Sequence, residues 1–112
     1  MATSTDFIQF AADQVATAGD ISYKKMFGEY MIYLNRRAVL LVCDDTVYVK
    51  QIPAAADVFA RHGVTPDVGT PYDGAKPHWV LDIEDGALSI DMVRALAAVM
   101  PAPKPRAKKS VK

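Results

Sequence analysis

The stretch from Tyr23 to Lys50, YKKMFGEYMIYLNRRAVLLVCDDTVYVK, constrains the fold of this chain more than any other part of the sequence. It contains segments of strand composition at about 26–34, 38–43 and 46–50, separated by the connectors NRR and DD. Connectors of two or three residues join only antiparallel neighbours. The sequence therefore predicts an antiparallel meander.

Both faces of the predicted sheet carry apolar side chains. On the first strand, alternation places Met26, Tyr30, Ile32 and Leu34 on one side and Phe27, Met31 and Tyr33 on the other. The second strand is apolar on both sides, with Ala38, Leu40 and Val42 opposite Val39, Leu41 and Cys43. A sheet with one face in water would instead alternate apolar with polar residues. We expect the second face to be covered by a partner, by a second copy, or by the long loop that carries Pro71, Tyr72 and Pro77.

The remaining segments predict three helices and one further strand. Apolar spacing favours helices over 4–18 and 52–61 and a last helix with Ser89 as N-cap, while HWVLDIED has the alternation of a strand. Segregated strands with helices on one side are typical of a two-layer α+β domain. We predict an antiparallel sheet of four to five strands with helices mainly on one face, in the order α-β-β-β-α-(β)-β-α.

The charges are divided unequally along the 112 residues. Residues 1–100 hold eight basic and thirteen acidic residues, a net charge of −5, whereas residues 101–112 have a net charge of +5. We predict one folded domain over 1–100 and a disordered, Pro- and Lys-rich tail over 101–112. An acidic body does not favour nucleic-acid binding, but the tail could bind DNA without sequence preference or simply promote solubility. The candidate nucleic-acid contacts are Lys104, Arg106, Lys108, Lys109 and Lys112.

The sequence predicts a cytoplasmic protein with no membrane partner. The N-terminus lacks the charged and apolar regions of a secretory leader, and the longest apolar run covers only residues 38–43. A membrane helix needs roughly 20 such residues. Cys43 is the single cysteine, so no internal disulfide can form.

The histidine, cysteine and paired aspartate residues do not form a recognisable catalytic or metal-binding motif. His62 and His78 lack metal-ligand spacing, and we predict a helix-terminal role for the first and packing for the second. Cys43 precedes two acidic residues, which favours a buried, unreactive thiol. Asp44 and Asp45 are predicted to form a turn rather than an acid–base pair. We therefore expect no enzyme activity, no cofactor and no metal site.

The motif KKMFGEYMIYLNRRAVLLVCDDTVYVK, followed by RHGV, a Gly/Pro loop and WVLD, resembles the N-terminal domain of the TfoX/Sxy proteins, bacterial regulators of natural competence. The resemblance covers about residues 5–100. It implies an α+β fold and a non-enzymatic role in transcription regulation. Longer members continue into a helical C-terminal domain, so we expect a stand-alone module here.

Together, the doubly apolar strands and the resemblance predict a regulatory module that acts through protein–protein contacts, with another protein or with itself. The predicted contact residues are Phe27, Met31 and Tyr33. The alternative is a small DNA-associated protein that binds through its basic tail.

Overall fold

The computed structural model describes residues 4–26 and 29–100, with the side chain of Met26 left out. Three α-helices, one 3-10 turn and six strands make up this part of the chain. In chain order they are α1 (Thr5–Gln14), the 3-10 turn (Ala16–Ala18), β1 (Ile21–Met26), β2 (Glu29–Leu34), β3 (Arg37–Cys43), β4 (Thr46–Val49), α2 (Pro53–Arg61), β5 (Val68–Gly69), β6 (His78–Leu81) and α3 (Gly86–Val99). The predicted α+β class is therefore confirmed.

All six strands form one antiparallel sheet in the order β1-β2-β3-β4-β6-β5. The predicted meander is present, but it has one strand more than the sequence indicated. The segment interpreted as a single strand over 26–34 is split, because Ile21–Met26 pairs with Glu29–Leu34 as a separate edge strand. β5, at the other edge, is only two residues long.

Two tight turns connect β2 to β3 and β3 to β4. Asn35 and Arg36 have φ values of 52° and 69°, and Asp44 and Asp45 have values of 51° and 55°. Two consecutive left-handed residues match the twist of the flanking strands in a hairpin, and Asn and Asp tolerate this region better than most residues. The prediction that Asp44 and Asp45 form a turn is confirmed.

The three helices cover one face of the sheet and form a single core with it. Helix residues such as Ile8, Phe59 and Met92 belong to the same buried cluster as Ile32 and Val47 of the sheet. Trp79 of β6 packs edge-on against Phe59 of α2, with ring centroids 5.7 Å apart. The helices and the sheet thus form the two layers that the sequence predicted. We call the side of the sheet that the helices cover the inner face.

The helix ends differ in part from the prediction. The first helix begins as expected, since Ser4 caps α1 by accepting a hydrogen bond from the Phe7 N–H, but it ends at Gln14 and not at 18. The predicted N-cap of the last helix was wrong. Asp85 caps α3 by accepting from the Leu88 N–H, and Ser89 lies buried in the first turns, where its hydroxyl donates to the Asp82 carbonyl. Within residues 4–26 and 29–100, no helix has the length and apolar character needed to cross a membrane.

Candidate functional site

The face of the sheet that the helices leave uncovered is the candidate site, and we call it the outer face. The strand register aligns Met31, Leu41, Tyr48 and Val80 in one row across four strands. These four side chains are neither buried nor fully exposed. Tyr33 and His78 share both this face and this partial burial. The apolar and aromatic side chains of the outer face therefore include Met31, Tyr33, Leu41, Tyr48, His78 and Val80, and the half-buried Glu29 and Thr46 lie on the same side of their strands.

A β-bulge changes the predicted alternation on β3. The register with β2 shifts between Ile32 and Tyr33, so that Leu40 pairs with Ile32 and Ala38 pairs with Tyr33. The extra residue, Val39, is buried and joins the inner core together with Leu40. The prediction that Val39 lies opposite Leu40 was therefore wrong, because an inserted residue interrupts the alternation of the strand.

An open groove of about 550 Å³ crosses the outer face at one end of the sheet. Its floor includes Met31, Leu41 and Tyr48, and the start of β3 forms one side. The loop between β5 and β6 forms the other side through Tyr72 and its neighbours. Among the described residues, the lining consists of Met31, Ala38, Val39, Leu40, Leu41, Tyr48, Lys50, Tyr72, Gly74, Ala75, Lys76, His78 and Met100. The volume lies within the range of small-ligand pockets.

The long loop covers the outer face only in part. Pro71 is buried, whereas the neighbouring Tyr72 side chain is 53% exposed although it lines the groove. The sequence suggested a partner, a second copy or this loop as the cover of the second sheet face. The loop supplies one wall of the groove, and the groove stays open between that wall and β3.

Tyr48 is held in place by its neighbours on β5 and β6. A Cβ added to Gly69 would lie 3.1 Å from Cε1 of Tyr48, so the tyrosine ring packs directly on the glycine backbone. The Tyr48 and His78 rings meet edge to face with centroids 6.4 Å apart. His78 Nδ1 lies 2.8 Å from the Lys76 carbonyl oxygen, which fixes the imidazole. Packing of His78, as predicted, therefore shapes the groove.

Of the three predicted contact residues, the structure places one in the groove. Met31 lines it, and Tyr33 lies on the outer face beside it. Phe27 lies outside the described residues, as do the five basic residues of the tail. Sequence reasoning did not single out Tyr48, Lys50, Tyr72 or Lys76 as site residues. The one available signal was Tyr72 in a Gly/Pro-rich loop, which the sequence linked to the second face.

The other titratable groups of interest lie away from the groove. His62 caps the end of α2, and its Nε2 lies 2.7 Å from Oδ2 of Asp91 on α3. This hydrogen bond is the main reason why the pKa of Asp91 is lowered, with a further contribution from Arg61, whose Nη1 lies 3.8 Å away. The arrangement joins two helix surfaces and agrees with the helix-terminal role predicted for His62.

Cys43 is buried, as predicted, and its thiol is held in the protonated form. Burial is the largest cause, and with the nearby Glu29 and Asp44 carboxylates it raises the pKa of Cys43 to about 12. A thiol in this state is a poor nucleophile at neutral pH. Among the residues that the structure describes, no group of three or more His, Cys, Asp or Glu side chains is arranged to hold a metal ion.

Two comparisons with known proteins bear on the identity of the chain. The sequence profile of the TfoX N-terminal domain matches residues 13–89, which include all six strands. The chain belongs to the TfoX N-terminal domain family. It is also 36% identical over 112 residues to an uncharacterized 12.7 kDa protein in the trpE 5' region of Spirochaeta aurantia. That alignment covers 98% of this chain and 94% of the relative, so the two proteins have nearly the same extent. The resemblance stated from the sequence is thereby confirmed at the level of the family.

Proposed function

We propose that this TfoX N-terminal domain protein is a non-enzymatic regulatory module that works by binding a protein partner on its outer face. The observation that carries the proposal is the groove, whose floor combines Met31 and Leu41 with the aromatic ring of Tyr48. Half-buried apolar and aromatic side chains at the centre of a concave surface are typical of protein-binding anchors.

The energetics of the outer face support this proposal. Burial of apolar surface stabilises an association by about 25 cal/mol per Å². All three helices pack on the inner face, so in the described chain the groove is shielded only by the loop between β5 and β6 and by Met100 at the end of α3. A partner that completes this cover would bury Met31, Leu41 and Tyr48 together, and such a cluster supplies most of the energy in many interfaces.

Site-specific photo-crosslinking in the native host tests the proposal. A photoreactive residue replaces Tyr48 in one strain and Phe10, which is 40% exposed on α1, in another. We expect a defined crosslinked partner from the position in the groove and none from the position on α1. Mass spectrometry of the crosslinked band identifies the partner.

The double variant Met31→Asp/Tyr33→Asp should reduce crosslinking from Tyr48 by about tenfold or more, because each buried apolar side chain contributes about 1.5–3 kcal/mol. The matched control Phe10→Asp/Tyr23→Asp changes two exposed aromatic residues, outside the outer face, by the same charge. Circular dichroism and Trp79 fluorescence verify folding. Equal crosslinking from both positions, or a Met31/Tyr33 variant that is unfolded, would show that the outer face is not a binding surface.

A second candidate function rests on charge. The five basic residues of 101–112 stand against a body of net charge −5, which favours a DNA-associated protein that binds through its tail. This candidate uses a different part of the chain from the groove, and so the two can be tested independently.

A further inference from the structure

We propose that the groove on the outer face receives a short acidic peptide segment with large apolar side chains, supplied by a different protein. This inference rests on the proposed function and specifies the chemistry of the partner. The charges around the groove, the strand pairing at its side and the exclusion of two occupants that belong to this chain support it.

The groove is positively charged in a body that is negatively charged overall. Lys50 and Lys76 line it, and no acidic residue is among the described residues of its lining. Both side chains belong to exposed residues, and neither ammonium has a carboxylate partner within 4.0 Å among the residues that the structure describes. Carboxylates of a bound segment would satisfy these two charges.

The opposite end of the sheet has the opposite charge. A second concave surface there is lined by Asp45, Asp67, Asp82 and Glu84, and none of the described residues that line it is basic. Four of the thirteen acidic residues therefore lie at the end of the sheet away from the groove, whereas Asp73 lies in the loop between the groove-lining residues Tyr72 and Gly74. The groove and this second surface thus differ in the charge of their linings, which favours an acidic ligand at the groove and not at the second surface.

The apolar part of the groove requires large side chains on the ligand. Its floor and walls present Met31 and Leu41 from the sheet and Met100 from the end of α3. Tyr48 and Tyr72 add two aromatic rings. Methionine adapts to irregular apolar partners, and aromatic rings add contact area at low entropic cost. A purely charged segment would leave this surface unfilled.

Strand pairing favours an extended peptide over a compact ligand. The ladder between β3 and β4 covers only Leu41–Cys43 and Thr46–Tyr48, whereas Ala38, Val39 and Leu40 continue past it and line the groove. Within residues 4–26 and 29–100, no strand pairs with Ala38–Leu40 on the β4 side. An extended segment laid beside these residues could add main-chain hydrogen bonds, which is a common mode of peptide recognition.

Charge argues against both occupants that the chain itself offers. The C-terminal tail follows Met100 at the edge of the groove, but it carries five basic residues and no acidic one, so it would be repelled by Lys50 and Lys76. A symmetric dimer formed groove to groove would bring the same two lysines of both copies together. A separate acidic protein segment meets neither obstacle.

Selection from a random peptide library displayed on phage, with the full chain as bait, tests this inference. We expect the enriched peptides to contain Asp or Glu flanking large apolar residues. Synthetic versions should bind the Lys50→Glu/Lys76→Glu variant about tenfold or more weakly, with the loss reduced at high salt. The control Lys25→Glu/Arg94→Glu makes the same change in net charge on exposed residues outside the groove lining and should bind normally.

The outcomes separate the two proposals. Enriched peptides that are neutral or basic, or that bind both double variants equally, would overturn the acidic preference, and the proposed function would stand if Leu41→Asp still abolished their binding. Selection without any enrichment, or peptides insensitive to Leu41→Asp, would overturn both. A sedimentation experiment that shows a dimer disrupted by Leu41→Asp would identify a second copy as the occupant and contradict the inference.

Discussion

The turn between β2 and β3 places an arginine in a backbone conformation that costs energy. Arg36 has φ of 69° and follows Asn35 at 52°. Asn35 is stabilised in this conformation by two hydrogen bonds to Asp20. The Asn35 N–H donates to the Asp20 carbonyl, and the Asn35 side-chain oxygen accepts from the Asp20 N–H. Arg36 is exposed, and no comparable bond of its side chain is present in the described chain. The left-handed conformation of Arg36 is therefore imposed by the hairpin.

The variant Arg36→Gly should be more stable than the natural protein by about 0.5–1 kcal/mol. Glycine removes the steric cost of the left-handed region, about 1–2 kcal/mol, at the expense of a more flexible unfolded chain. Urea denaturation followed by Trp79 fluorescence measures the difference. Arg37→Gly is the matched control, and it should destabilise, since Arg37 Nη1 donates to the Ala97 carbonyl at 2.7 Å. A loss of stability in Arg36→Gly would contradict this account of the turn.

For single residues, the sequence predicted a conformation correctly where that conformation depends on the residue's own backbone preference. Asp44 and Asp45 could be assigned to a turn because their preference for left-handed backbone is intrinsic. The sequence did not predict a further role of Asp45, whose Oδ1 accepts a hydrogen bond from the Ser4 N–H at 2.8 Å. That contact joins residues 41 positions apart, and no local pattern marks it.

Among the elements, α2 and α3 are tied together by a small cluster of charges. His62 and Arg61 at the end of α2 both approach Asp91 on α3, at 2.7 and 3.8 Å. The His62 hydrogen bond lowers the pKa of Asp91 below its ordinary 3.8. A carboxyl group whose pKa is lower in the folded state stabilises the fold at pH values above the unfolded pKa, and this contribution is lost as the pH falls through the folded value.

The variant Asp91→Asn should therefore have a lower urea midpoint than the natural protein at neutral pH. The difference should shrink as the pH falls below 3.8, where the natural carboxylate becomes protonated too. Denaturation curves across the acid range measure it. Asp57→Asn on α2 is the control, because Asp57 is exposed and has no ion pair or side-chain hydrogen bond in the described chain. A difference that stays constant with pH would show that the carboxylate charge is not involved.

The element that sequence reasoning missed is an edge strand. In β1, the residues Ser22, Tyr23, Lys24 and Lys25 are all exposed, and the alternation of apolar and polar residues covers only 21–24 because Lys25 interrupts it. Lysines on an edge hinder unwanted pairing with other chains, which is why such strands are weak in apolar pattern. The last helix was placed correctly, but its N-cap was not, since both Asp85 and Ser89 are good capping residues and only packing selects the first.

For the molecule as a whole, the sequence predicted that the second sheet face needs a cover but not where the groove lies. The groove combines residues from β2, β3, β4, β6, the loop before β6 and the end of α3, and its lysines are far apart in sequence. The difference in charge between the linings of the groove and of the acidic surface at the other end of the sheet likewise depends on the topology. Net charge counted along the chain reveals only the contrast between the body and residues 101–112.

That contrast leads to a prediction for the intact chain with duplex DNA. Binding through the tail should weaken as the salt concentration rises. A plot of the logarithm of the association constant against the logarithm of the salt concentration should have a slope of roughly −3 to −4.5, as expected when about three to five phosphates are neutralised. Fluorescence anisotropy with a short labelled duplex between about 50 and about 200 mM salt measures the slope.

The matched control is a full-length variant in which the five basic residues of the tail, Lys104, Arg106, Lys108, Lys109 and Lys112, are replaced by Gln. It should lose DNA binding, because the body alone has a net charge of −5. Lys50→Glu/Lys76→Glu should retain at least part of the binding, since the groove is not its source. Binding that persists in the Gln variant and disappears in the Lys50/Lys76 variant would instead place the nucleic acid on the outer face, in competition with the acidic segment.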